Sequence, residues 1–147
     1  MGFIGLCLLV GAADSALTAG AARAWYLSLT PPPGTPPDQL FGPVWAALYI
    51  MVGIAGWMVW RRSSATRPLR LWGWQLAVTA IWAPAFFGLH RPLLGVAVLA
   101  ILIVLTVLTI RSFRPIHRGA ARLMVPYLLW IGYTLYLNAG FCWLNPV

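Results

Sequence analysis

Asp14 and Asp38 are the only carboxylates in the chain, and glutamate is absent. They lie in different regions, so the paired acids of a general acid–base mechanism are missing. His90 and His117 fall in breaks between apolar runs, on sides expected to be opposite, which argues against a shared metal ion. Either could ligate a haem iron singly. Cys7 and Cys142 stand inside apolar runs without a CxxC or zinc spacing, and read as small buried hydrophobes. Asp14 is the one acid inside an apolar run, which marks it for function by default. The alternative is a protonated or hydrogen-bonded structural Asp, sharing a partner with Ser15, Thr18 or another helix. Both readings stand at this level.

Flat ring surface is what the chain has in quantity. Nine Trp, five Tyr and six Phe make up 14% of its 147 residues. Trp25, Trp45, Trp72, Trp74, Trp82, Trp130 and Trp143 fall mostly near the ends of apolar runs. Some must form an interfacial aromatic belt. Rings in this number also suit stacking on a flat polycyclic ligand, with a few polar tips to orient it.

The elements that must carry these rings follow from composition. The chain is 61% hydrophobic and 8% charged, with a mean hydropathy of +0.83. A soluble domain carries roughly 25% charged residues, so lipid is the simplest solvent for most of this surface. Five apolar runs, about 2–22, 43–60, 69–89, 92–110 and 120–144, have the length of membrane spans and not of strands. The expectation is an all-α integral membrane protein, a single domain of five transmembrane helices. The N-terminus is apolar from Gly2 without a basic leader, so the first run is expected to be retained as a helix.

Prolines at 43, 68 and 92 are expected near helix starts, and Pro84 and Pro126 are expected to kink or shorten theirs. The connection from about 23 to 42 contains Pro31, Pro32, Pro33, Pro36 and Pro37, so no regular helix is expected there. It also carries Trp25, Tyr26, Leu29, Leu40 and Phe41. Stiff backbone with large apolar side chains suits a lid folded over the bundle end; the alternative is a loop anchored at lipid headgroups.

The net charge of +8 comes from ten arginines, with no lysine. A basic balance can mean nucleic acid, but these arginines flank apolar runs and read as topology signals. Arg61, Arg62, Arg67, Arg70, Arg111, Arg114, Arg118 and Arg122 fall on one side; only Arg23 and Arg91 fall on the other. The rich side, which includes the N-terminus, is expected to be cytoplasmic, with the first loop and the C-terminus opposite. Small residues on the third run (Gly73, Ala77, Ala80) could pack inside the chain or form a homodimer seam.

Particular motifs sharpen this. Trp25-Tyr26, Leu29, Pro32, Pro36-Pro37, Gly42-Pro43-Val44-Trp45 and Leu48-Tyr49 resemble the first-loop and second-helix signature of the TspO/translocator family. Gln75-Leu76, Trp82, Pro84 and Phe86-Phe87-Gly88 resemble its third-helix motif, and Pro126-Tyr127-Leu128, Trp130 and Leu137-Asn138 its fifth. The matches keep order and spacing over nearly the whole chain. The resemblance implies a five-helix bundle, commonly dimeric, with a pocket beneath the first loop. Family members bind porphyrins, and some bind cholesterol or benzodiazepine-type drugs. By position the pocket would involve Trp25, Tyr26, Trp45, Tyr49, Trp82, Phe86, Trp130 and Asn138, with Trp25 in the lid. The chain departs from the family pattern at Gly34, Thr79 and Ala139. The expected role is a membrane sensor or carrier of tetrapyrroles such as porphyrin or haem, bound as ligand and not as an obligatory cofactor. Sterol-like apolar molecules are further candidates. The alternatives are light-dependent degradation of a bound porphyrin and transport of a small solute. Lack of internal repeats and of a polar helix stripe weighs against a transporter or ion path.

Overall fold

The computed structural model describes residues 2–17, 21–35, 38–63 and 66–145, apart from the side chains of 14, 15, 17, 21–23, 38, 39, 41, 42, 87 and 88. All regular structure among them is helical: α1 Gly2–Leu17, α2 Ala21–Leu27, α3 Asp38–Arg62, α4 Thr66–Ala83, α5 Pro92–Phe113 and α6 Arg118–Leu144, with a π-helical turn, Pro84–Gly88, after α4. Short connections at 89–91 and 114–117 turn α4, α5 and α6 back on one another as antiparallel neighbours.

The proline-rich connection is more helical than its composition suggests. Residues 23–27 belong to α2, and α3 begins at Asp38 with Pro43 inside it. Proline disfavours helix only at itself and just before it, so the prolines at 31–33 leave Ala-Ala-Arg-Ala-Trp-Tyr-Leu free to coil. Pro43 removes one intrahelical hydrogen bond early in a 25-residue helix, a loss the rest of the helix outweighs. The first apolar run is helical to Leu17, and Ala21–Ala22 open the next helix. Pro68 and Pro92 do sit in first turns. Pro84 ends the regular part of α4 and opens the wider π turn, where the missing N–H and the bulk of the ring are accommodated.

The core runs down the middle of the bundle through Val52, Val59, Leu99, Leu102, Phe113, Met124, Tyr127 and Ile131. α1 crosses α3 closely: a Cβ on Gly53 would lie 2.7 Å from the Ile4 Cα, and Gly11 abuts the Tyr49 ring. Buried threonines are satisfied within their own helices. The hydroxyls of Thr106, Thr109 and Thr134 donate to the carbonyls of Leu102, Leu105 and Trp130, each at 2.8 Å. The outside is apolar as well. Leu9, Leu93, Leu129 and Trp143 are 68%, 75%, 70% and 84% exposed, a surface water would penalise and lipid accepts. Two helical stretches, Pro43–Arg62 and Pro92–Phe113, are long and apolar enough to cross a bilayer.

Candidate functional site

Where α2, α3, the π turn and α6 meet, the aromatic side chains form one connected array. Trp45 on α3 lies 6.0 Å from Trp82 on α4, with 25° between their planes. Trp82 stacks at 5.6 Å and 23° on Phe86 of the π turn. Tyr49, one turn beyond Trp45, is 5.7 Å away, and Trp130 of α6 meets Trp45 edge-on at 6.2 Å. From above, Trp25 and Tyr26 of α2 set their edges against Phe86 at 5.6 and 6.3 Å. Phe86 stands four residues after Trp82, a spacing that keeps both rings on one side of the helix as α4 passes into the π turn.

One amide organises the polar part. Asn138 on α6 accepts from the Trp82 indole N–H at 3.0 Å and donates through Nδ2 to the Pro92 carbonyl at 2.6 Å. It is 2% exposed, so both bonds are made away from water. The arrangement needs Gly95, because a Cβ there would stand 2.5 Å from the Asn138 Oδ1. Deeper, the Tyr127 hydroxyl is hydrogen-bonded to Thr79, whose own hydroxyl bonds the Gln75 carbonyl at 2.8 Å. The Gln75 amide is fully buried, and among the described residues neither of its polar side-chain atoms has a hydrogen-bond partner. Such a group costs about 1–3 kcal/mol and marks a place where a polar atom would be welcome.

The segment 30–35 lies against the C-terminal half of α6. The Thr30 N–H donates to Asn145 Oδ1 at 2.9 Å, and Asn145 Nδ2 donates back to the Thr30 carbonyl at 3.0 Å. Tyr136 donates to the Pro33 carbonyl at 2.6 Å, and Tyr133 to the Gly34 carbonyl. Pro32 is buried against Gly140, where any Cβ would come within 2.5 Å of the proline ring. Gly34, one of the departures from the family pattern, has φ of +85°, a left-handed conformation that favours glycine.

The sequence that builds this array has counterparts in known proteins. The TspO/MBR family model matches residues 3–144. The chain belongs to that family. It is 39% identical to the tryptophan-rich protein TspO of Chlorobaculum tepidum, over 97% of this chain and 93% of that one. It is 34% identical to protein CrtK of Rhodobacter capsulatus, over 95% and 88%. It is 32% identical to the translocator protein of Bos taurus, over 94% and 85%. With its apolar exterior, this TspO/MBR member is a membrane protein.

The eight residues singled out in the sequence all lie in the one array. The other tryptophans divide differently. Trp72 is buried between α3 and α4 and donates to the Val52 carbonyl at 3.0 Å, whereas Trp74 and Trp143 project outward, as belt residues would. Phe141 had no motif to mark it, yet it meets Tyr26 at 5.2 Å and Phe86 at 5.9 Å. Its signal is helical spacing, three residues after Asn138. His90 is exposed in the turn before α5 and stacks on Trp25 at 4.5 Å, with φ of +53°. His117 caps α6 at the other end, where its Nδ1 accepts from the Ala120 N–H at 3.2 Å. The 22 residues of α5, roughly 30 Å of helix, separate the histidines. The Asp14 side chain lies outside the described residues, and so does that of Arg23.

Proposed function

We propose that the chain is a five-span membrane protein that binds a tetrapyrrole, of the porphyrin or haem type, beneath the segment 30–35. In this reading that segment and α2 serve as a lid. The observation that carries it is the run of near-parallel rings Trp45–Trp82–Phe86, whose planes differ by only 23–25° at each step. A planar macrocycle finds in such a run faces already aligned, each stack contributing about 0.5–1.5 kcal/mol beyond burial. The Gln75 amide supplies a polar anchor, Asn138 fixes the Trp82 ring, and Arg91, exposed at the start of α5, can pair with a propionate. Sterol-like molecules would use the apolar faces without the carboxylate contact.

Titrating a porphyrin into the purified protein should quench Trp fluorescence saturably. Micromolar affinity, about −8 kcal/mol, is the expected range. Quenching that never saturates, or that is unchanged in both Trp45→Ala and Trp82→Ala proteins, would show partition into detergent instead. Illuminating the complex and looking for a new chromophore product separates binding from light-dependent degradation.

We also propose the N-terminus as cytoplasmic, on the balance of arginines, and a homodimer through α4. On that helix Ala77 is exposed, and nothing approaches within 4 Å of where a Gly73 Cβ would be.

A further inference from the structure

At the bundle end opposite the 30–35 segment, a cleft of about 810 Å³ opens between the end of α3, the end of α5 and the start of α6. Arg62, Arg111, Arg114 and Arg118 line it, with His117 and Gly119. The chain holds no acid that could neutralise them. Asp38 begins α3 and Arg62 ends it, roughly 36 Å apart along the axis. Asp14 lies on α1 three residues past Gly11, which abuts Tyr49, whereas Arg62 is 13 residues beyond Tyr49 in the other direction. That places its backbone more than roughly 20 Å from Arg62, well past a Debye length of about 8–10 Å. A topology signal requires only that charge stand near the interface. Here four cations converge on one concavity, while the neighbouring Arg61 turns away to lie 4.9 Å over the Trp57 ring.

The same end of the bundle offers two further features suited to an anion with a tail. The first backbone N–H groups of a helix have no intrahelical acceptor, and α6 begins in the cleft, so its dipole adds to the positive field. Beside the cleft, Arg111 continues a single face of α5. Leu108, Val104 and Ile101 follow it at helical spacing, and they are 40%, 59% and 55% exposed. A cationic mouth above an exposed apolar track matches an amphiphile and not a free anion.

We propose that this cleft and the Ile101–Val104–Leu108 track bind an anionic phospholipid, its phosphate among the arginines and an acyl chain along α5. The site lies away from the aromatic array and does not depend on it.

The test uses the full chain in neutral maltoside micelles, equilibrated with dioleoyl phosphatidylglycerol or dioleoyl phosphatidylcholine and read by native mass spectrometry. The anionic lipid should be retained at one copy per chain and the zwitterionic lipid lost. An Arg111→Gln/Arg114→Gln protein should bind the anionic lipid about 30-fold more weakly, at about 1 kcal/mol per cation. Leu108→Asn should also weaken retention, and Arg61→Gln should leave it unchanged. If the double variant does not fold, the unmodified protein answers alone, since retention should fall as NaCl rises from about 0.05 to about 0.5 M. Equal retention of both lipids, undiminished binding by the double variant, or insensitivity to salt overturns the proposal. Displacement of the lipid by an equal concentration of inorganic phosphate would identify a free-anion site and overturn it too.

Discussion

Asn138 joins α4, α5 and α6 through two hydrogen bonds made out of contact with water, so its removal affects three helices at once. Asn138→Ala withdraws an acceptor from the Trp82 indole and a donor from the Pro92 carbonyl. The expected loss is about 1–3 kcal/mol, read as a lower thermal midpoint in detergent. Gly95→Ala should act on the same point from the other side, because its new Cβ would displace the amide oxygen. A cost of about 1–3 kcal/mol fits that overpacking, and an unchanged midpoint would mean the amide relocates freely. For the ligand, Trp45→Ala should weaken porphyrin binding by roughly tenfold, about 1.4 kcal/mol, since Trp45 touches Tyr49, Trp82, Tyr127 and Trp130. Residue types and motif spacing were enough to nominate the rings and the amide. They could not reveal Gln75 as an amide with no hydrogen bond, because that depends on what the neighbouring helices present to it.

Among the elements, the long helices were legible because apolar runs bounded by arginine and proline leave few alternatives. Their starts were less so. Pro43 reads as a first-turn residue, but the helix begins at Asp38, since a helix can absorb one lost hydrogen bond early in its length. α2 was hidden for a related reason: the density of prolines downstream masked seven residues with ordinary helical preference. The contacts of segment 30–35 with α6 were also invisible in the sequence, since four of the five groups it contributes are backbone, three carbonyls and one N–H. Gly140 is the position to probe. Gly140→Val should lift Pro32 off α6 and speed hydrogen exchange of the Thr30 amide, while the amides of α5 keep their protection. On α4, a bulky Ala77→Trp protein should run as a monomer by light scattering in detergent, if the small face is the dimer seam. Unaltered mass would move the seam elsewhere.

At the scale of the whole molecule, the division of arginines between the two ends is the largest asymmetry. Eight of ten fall at the end where α3 and α5 finish and α4 and α6 begin. Reporter fusions at Met1 and Val147 should therefore place the start of the chain in the cytoplasm and its end outside. The opposite result would leave the helical bundle intact and reverse only its insertion.

Among the described residues, the hydrogen bonds that tether the segment 30–35 and the contact of Pro32 all reach α6 and its cap Asn145. If the segment is the proposed lid, detaching it breaks those bonds without parting two of the helices described, and escape from beneath it is a matter of opening a fixed set of small contacts. The time a molecule stays would then be governed by how often those bonds open together, whatever its own grip on the rings below. Two porphyrins of quite different equilibrium strength should depart with similar half-lives, and Asn145→Ala should shorten both by the same factor.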